Sequence, residues 1–278
     1  RVGVYFNIAH NENKITEMPD NYIEENYTFG NGNYAYRREE GRPMGSFYGY
    51  RYKGVYQNKD ATYARDIEGN VMKDISGNAI VMRNGSYTVA PGDAIYEDVN
   101  HDGVINQYDI VYLGNSNPRL TGGAGLNVSY KQFKLSAIFY GRYGQDVVNA
   151  TRLNNESMRG IDNQSTAVLR RWRNEGDQTD IPRALYGEGY NTLGSDRFVE
   201  DASYLRLKSL SFTYRLPKKA IQRWGFNNID VYVTGYNLFT WTKYTGQDPE
   251  VKTENTYARD TATTPASIQL VAGFNLSF

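Results

Sequence analysis

The chain has no cysteine among its 278 residues, which removes disulfide frameworks and every Cys-based zinc or redox site. It has no net charge either, since 31 Lys and Arg balance 31 Asp and Glu. Nucleic acid is therefore excluded as a partner, because neutralising phosphates needs a basic surplus. No apolar run approaches 18 residues, so no segment reads as a transmembrane helix. Histidine is nearly absent: His10 and His101 are the two in the chain, and neither sits in a context that suggests a nucleophilic triad. No pair of carboxylates stands out for general acid–base work, and no Gly-rich phosphate motif follows a strand. Catalysis is not expected. The low mean hydropathy would ordinarily indicate a soluble protein. That inference fails for β-barrels, in which half of each spanning strand faces a polar lumen.

What the chain has in quantity is tyrosine, 25 residues, and glycine, 27. Tyrosine at this level fits aromatic girdles between hydrocarbon and water; it also fits a sugar- or peptide-binding surface, or a β-rich soluble domain. Period-two segments accompany it. In Thr121–Lys131, Gly122, Ala124, Leu126, Val128 and Tyr130 share one face, and Thr121, Asn127, Ser129 and Lys131 the other. In Phe133–Tyr143, Phe133, Leu135, Ala137, Phe139 and Tyr143 alternate with Lys134, Ser136 and Arg142. Such alternation over ten residues predicts strands, and the minimal turn at Lys131–Phe133 makes them antiparallel neighbours.

Further strands are predicted at 2–9, at Met44–Gln57, at Tyr204–Leu216 with a bulge near Lys208–Ser209, at Ile229–Trp241 and at Ile268–Phe278. Pro217 ends the fifth of these seven in chain order. The remainder is connection. Residues 11–42 are polar, Gly/Asn-rich and hold at most short strands; 58–119 is long, with a small hairpin expected around 77–88; 144–202 carries a short helix at Thr166–Trp172; 218–228 forms one or two helical turns; and 242–265 is polar. Short and long connections alternate from residue 57 onward, as turns and outer loops do in membrane barrels, whereas 11–43 is too long for its side. Seven strands cannot enclose a transporter-sized pore, and open edges in lipid cost several kcal/mol per unpaired group, so further strands are expected from elsewhere. The start, Arg1–Phe6, has no initiating Met or signal peptide and lies inside a strand pattern, which is what a piece of a longer protein would show.

Two stretches are candidate sites. Residues 98–109 have EF-hand-like spacing: Asp98, Asn100 and Asp102 at positions 1, 3 and 5, Gly103 at 6, Val104 at 7 and Asp109 at 12. Oxygen ligands at every second residue wrap a hard cation such as calcium, the Gly permits the turn, and the position-7 carbonyl fills a gap. Asp at position 12 shortens the reach, so binding would be weak, about 10⁻⁴–10⁻³ M. The same residues also form an Asx-turn-rich loop that needs no ion. Trp172, with Arg170, Arg171 and Arg173, either faces a substrate or partner or anchors its loop. Trp241, Tyr244, Tyr236 and Phe239 are expected in an aromatic girdle rather than a sugar platform.

Seven segments carry a family resemblance in order: Glu40-Gly-Arg-Pro-Met-Gly-Ser-Phe-Tyr-Gly-Tyr50, Gly92-Asp-Ala-Ile-Tyr-Glu-Asp-Val-Asn-His-Asp-Gly103, Leu113-Gly-Asn-Ser-Asn-Pro118, Arg171-Trp-Arg-Asn174, Asp180-Ile-Pro-Arg183, Glu200-Asp-Ala-Ser-Tyr-Leu-Arg-Leu-Lys208 and Asn237-Leu-Phe-Thr-Trp-Thr-Lys-Tyr244. With them the chain resembles the C-terminal barrel portion of SusC/RagA-type TonB-dependent outer-membrane transporters of Bacteroidetes. Residues 1–39 match by strand pattern alone, and 245–265 departs from the family. The terminal Phe278 resembles the signal read by the barrel-assembly machinery. The resemblance implies an all-β, transmembrane antiparallel barrel of about 22 strands with a plugged lumen, of which residues 1–278 supply roughly the last third. It also implies the bacterial outer membrane, force from TonB acting on a plug outside this chain, a SusD-like lipoprotein as lid, and an oligosaccharide or peptide as cargo. Two other classes stand beside it: a soluble, calcium-loaded β-sandwich for surface binding or adhesion, whose alternating apolar faces would pack against one another, and a glycan-active enzyme, which lacks a catalytic constellation.

Overall fold

The computed structural model describes residues 1–18, 32–35, 38–251, 253–254 and 257–278. Six long strands form one antiparallel sheet in sequence order: β1 (Val2–His10), β2 (Leu120–Tyr130), β3 (Phe133–Tyr143), β4 (Tyr204–Arg215), β5 (Asn228–Thr242) and β6 (Gln269–Ser277). The period-two segments define them, because each has one apolar and one polar face. The register aligns those faces across the sheet. Val4 lies opposite Leu126, Leu126 opposite Ala137, Ala137 opposite Leu210, Leu210 opposite Gly235, and Gly235 opposite Leu270. The expected bulge is present, as the pairing of β4 shifts between Leu207 and Ser209 on both sides. It reverses side-chain parity, so Leu205 and Leu207 share the apolar face with Leu210, Phe212 and Tyr214.

The apolar face is bare. Phe6 is 76 % exposed and Phe274 67 %, and Val2, Val4, Ile8, Phe212, Val233 and Leu270 are exposed with them. Among the described residues no second sheet covers this face, which argues against the β-sandwich reading. Aromatic rings collect at both ends of the strands. Phe133 packs with Tyr214 at 5.0 Å and with Phe212 at 5.7 Å near the short turn. Phe139, Phe239 and Trp241 stack at the opposite end. An eleven-residue strand such as β3 is roughly 35 Å long; tilted by about 40°, it covers the ~25 Å apolar band of an outer-membrane wall. On the polar face, the rings of Tyr5 and Tyr232 lie over their cross-strand partners Gly125 and Gly273, covering backbone that glycine leaves open.

The segment Met44–Gln57 is not a wall strand. It breaks into two short strands, Ser46–Gly49 and Tyr52–Val55, that pair with Val111–Asn115 and Ala94–Tyr96. Its alternating aromatics serve a packed core: Phe47, Tyr48 and Tyr50 are all but inaccessible. The correction repairs the loop pattern. Residues 11–119 become one long connection between β1 and β2, so 11–119, 144–203 and 243–268 all leave one edge of the sheet while 131–132 and 216–227 turn at the other. The short strands expected within 11–42 fall partly on 19–31 and 36–37, outside the described residues.

The three long connections fold together into a loop body that holds the buried core. Its largest cluster joins Tyr48, Tyr50, Tyr56, Tyr96, Ile105 and Tyr190. Tyrosine therefore has a third use besides girdle and surface, and burial holds the phenols of Tyr50, Tyr56, Tyr96 and Tyr190 well above their usual range, in the neutral form. The expected hairpin near 77–88 pairs Arg83–Asn84 with Tyr87–Thr88, a single 3₁₀ segment spans Thr166–Arg170, and Lys218–Ile221 plus Gln222–Trp224 form the short helical link.

Placing Arg at Leu126, midway between the two aromatic clusters, in the parent receptor is expected to cost about 2–4 kcal/mol at mid-membrane and to block outer-membrane assembly, read as loss of the folded, heat-modifiable species. At Phe139 and Phe274, level with those clusters, the cost should fall to about 0–1 kcal/mol. Arg at Asn127, on the polar face, should leave that species near its normal yield.

Candidate functional site

The candidate binding surface comprises the polar face of the sheet and the loop body above it. The motif segments turn out to be the joints of that body. Gly92, at φ +87°, gives the space in which the Trp172 ring lies, since a Cβ there would collide with the indole. The backbone N–H of Arg183 donates to the Gly92 carbonyl at 2.7 Å. Asp93, with no exposed surface, is paired by Arg183 Nε at 2.7 Å; it also accepts from the Tyr87 hydroxyl at 2.7 Å and the Ala90 N–H at 2.8 Å. Three motifs thus converge on one point. Elsewhere Asn115 Nδ2 and Asn117 Nδ2 both donate to the Met44 carbonyl at 2.8 Å, and Glu200 accepts from the Thr245 N–H at 2.8 Å while pairing with Arg152 at 3.2 Å.

Trp172 is buried in the joint at Gly92: its backbone N–H donates to the Ile181 carbonyl at 2.9 Å, and its indole Nε1 is buried without a hydrogen-bond partner. Arg171 and Arg173 bond carbonyls of their own segment, Val168 and Leu169. Of the four expected girdle residues, Phe239 and Trp241 lie on the apolar face. Tyr236 pairs with Ser209 and Gln269 on the polar face. Tyr244 is buried, with its hydroxyl donating to Asp260 at 2.6 Å. The phase change at Asn237, φ +52°, separates Tyr236 from Phe239 and Trp241.

In the 98–109 loop the oxygens are already engaged. Asp98 accepts from the N–H groups of Asp102 and Gly103 at 3.2 and 2.8 Å. Asn100 accepts from the Asp102 N–H and donates to its carboxylate, and Asp102 accepts from the Val104 N–H at 2.8 Å. Asp109 is buried and accepts from Val99 and Asn106 N–H, both at 2.8 Å; burial pushes its carboxyl above the usual range, with Asp98 and Asp102 adding to the rise. Among the described residues, no group of three or more His, Asp and Glu side chains is arranged to hold a metal. As they stand, these side chains do not fit a closed calcium cage.

Two features escaped the sequence reading. Asp66-Ile-Glu-Gly-Asn70 and Asp74-Ile-Ser-Gly-Asn78 are an eight-residue repeat of Asx loops, each Asp accepting from the N–H groups two and four residues on; these bonds hold both carboxyls below the usual range. The spacing alone was signal enough. The second is a latch from 243–268 to the wall. Arg206, buried on β4, pairs with Asp248 and with Glu250 at 2.9 Å and donates to Thr240 at 2.9 Å. Lys208, in the bulge, also reaches Glu250 at 2.9 Å. Nothing in the sequence links residues some forty positions apart. Removing one partner of a buried pair strands the other, so Arg183→Ala is expected to cost about 3 kcal/mol and to speed hydrogen exchange at 92–103 and 171–183 together. Exchange confined to 183 would contradict the joint.

No family model matches the chain. It is 33 % identical to TonB-dependent receptor P3 of Formosa agariphila over 257 residues, covering 90 % of this chain and 23 % of that protein. It is 27 % identical to TonB-dependent receptor SusC of Bacteroides thetaiotaomicron, covering 98 % of this chain and 24 % of SusC. Among solved structures, the RagAB peptide transporter superposes on the whole chain with TM-score 0.72 at 26 % identity, using 27 % of its own chain. The same importer in its open-open state superposes with TM-score 0.67. The chain thus spans about a quarter of the length of the proteins it matches. With a bare apolar face, a polar face and long connections on one edge, the chain corresponds to part of the β-barrel wall, with its loops, of SusC/RagA-type TonB-dependent receptors.

Proposed function

We propose that the parent protein actively imports a bulky nutrient, an oligosaccharide or a peptide, across the bacterial outer membrane, drawing force from TonB and working with a SusD-like surface lipoprotein as lid. The observation that carries this reading is the division of one sheet into an exposed apolar face and a polar face, in a chain similar along its length to TonB-dependent receptors. In this reading the wall strands meet lipid outward and the lumen inward. The loop body, stiffened by the Asp93–Arg183 joint, stands on the outer side where a lid would rest. The latch from Arg206 to Asp248 and Glu250 fixes the 243–268 loop against the lumen wall. No catalytic step is part of the function.

Uptake of labelled oligosaccharides and peptides by cells carrying the parent receptor tests the proposal. Uptake of one class is expected, abolished by loss of TonB and by loss of the lid lipoprotein. Uptake that persists without TonB would contradict it.

For residues 98–109 we propose a loop held by its own N–H donors, with calcium bound weakly, at about 10⁻⁴–10⁻³ M, through Asp98, Asn100, Asp102, the Val104 carbonyl and Asp109. The N–H contacts must be released first, and Asp109 must be deprotonated, so affinity should fall as pH drops through its raised value. Micromolar calcium is expected to leave hydrogen exchange of this loop unchanged, and millimolar calcium to slow it. A response at micromolar calcium would overturn this.

A further inference from the structure

On the polar face, where β2 to β4 meet the 243–268 loop, lies a cavity of about 940 Å³. Thr121, Tyr140 and Arg142 form its wall side, and Asp248, Glu250, Arg259, Asp260 and Thr263–Ala266 its loop side, with Ser116–Pro118 closing one end. Its charges are unevenly satisfied. Asp248 and Glu250 are taken by Arg206 and Lys208. Asp260 accepts from the Tyr244 hydroxyl at 2.6 Å and the Ala262 N–H at 2.9 Å. Neither of the two arginines that line the cavity forms an ion pair among the described residues, although Arg142 feels the charge of Glu250. Arg142 donates once, to the Tyr140 hydroxyl at 3.3 Å. Arg259 makes no side-chain hydrogen bond or ion pair among the described residues, and its Nε is buried without a partner.

Leaving a buried guanidinium N–H without a partner is costly; Arg259 does so beside a cavity that a second half-buried guanidinium, Arg142, also lines, an arrangement open to an anion supplied from outside. We propose that this cavity is a binding subsite for a carboxylate-bearing ligand, with Arg142 and Arg259 as its charge partners. A guanidinium fork matches a carboxylate in two parallel N–H···O bonds. The hydroxyls of Tyr140, Thr263 and Thr264 and the Asn117 amide provide neutral donors and acceptors for the rest of the molecule. The volume suits a few residues or sugar rings. The carboxylate could belong to a peptide or to a uronic acid. As a statement about cargo, the proposal rests on the import reading above.

The test is calorimetry on the purified whole receptor in detergent with four probes: a tetrapeptide with free C-terminus, its C-terminal amide, an oligogalacturonate and its methyl ester. One free-acid probe is expected to bind and its neutral counterpart to bind at least about tenfold more weakly, which identifies the source of the carboxylate. Arg259→Gln and Arg142→Gln should each weaken the acid probe by a similar factor and leave the neutral one unchanged. Arg259→Lys, which keeps the charge but not the fork, should fall between, and heat-modifiable migration verifies that each variant is folded. Equal binding of acid and neutral probes, no acid binding at millimolar concentration, or glutamine variants that bind acid as wild type does would each overturn the subsite. A receptor that binds the acid but does not import it would overturn the import reading and leave the subsite standing.

Discussion

The structure depends on one constraint: a sheet one layer thick whose two faces meet different solvents. In an ordinary domain, apolar alternation is spent on a shared core. Here the sheet contributes little to any core, and its apolar residues are among the most exposed in the chain. That arrangement is unfavourable in water and favourable in hydrocarbon, where paired strands also satisfy every backbone group between them. The two outer strands, β1 and β6, have no neighbour on their far sides among the described residues. In hydrocarbon those unpaired edge groups would require further strands beside them.

The loop body solves the opposite problem. It stands in water and is built like a small soluble protein, with a tyrosine-rich core, short strands and buried ion pairs. Residues far apart in sequence make its joints: Asp93 with Arg183, Ser116 with Ala258, Glu200 with Thr245. Each joins two of the three long connections. The wall fixes where those connections begin and end, and the joints fix how they stand. On the import reading proposed above, that rigidity faces the cargo and the lid. The latch at Arg206 carries it down to the lumen wall, so the cavity between loop and wall has a defined shape.

Much of the wall was legible in the sequence. Phe133–Tyr143 was read to the residue, because a polar side chain separates nearly every apolar pair. The bulge at Leu207–Ser209 was legible because leucine parity reverses there. Met44–Gln57 misled because alternating aromatics look the same whether they face lipid or a compact core; Gly45, just ahead of the first short strand, and Gly49, at its end, were the overlooked clue. The candidate site was less legible. The spacing at 98–109 describes both a cation loop and an Asx loop, and backbone geometry rather than residue type decides which oxygens are already engaged. The Trp172 anchor could be named but not located, since its seat at Gly92 lies eighty residues away. The cavity arginines carried no signal at all. Being unpartnered is a property of the folded chain.

The central claim is that the two faces of the sheet meet two solvents, and the absence of cysteine from this chain makes it directly measurable. Spin labels on single cysteines placed along β2 and β3 of the receptor in bilayers report collision with oxygen, which concentrates in hydrocarbon, and with a nickel chelate, which stays in water. The account predicts a period-two pattern in opposite phase for the two reagents: oxygen high at 124, 126, 128, 135 and 139, and chelate high at 127, 129, 134 and 136. Low collision with both reagents along the apolar face would mean that it is covered by protein, and would contradict the account.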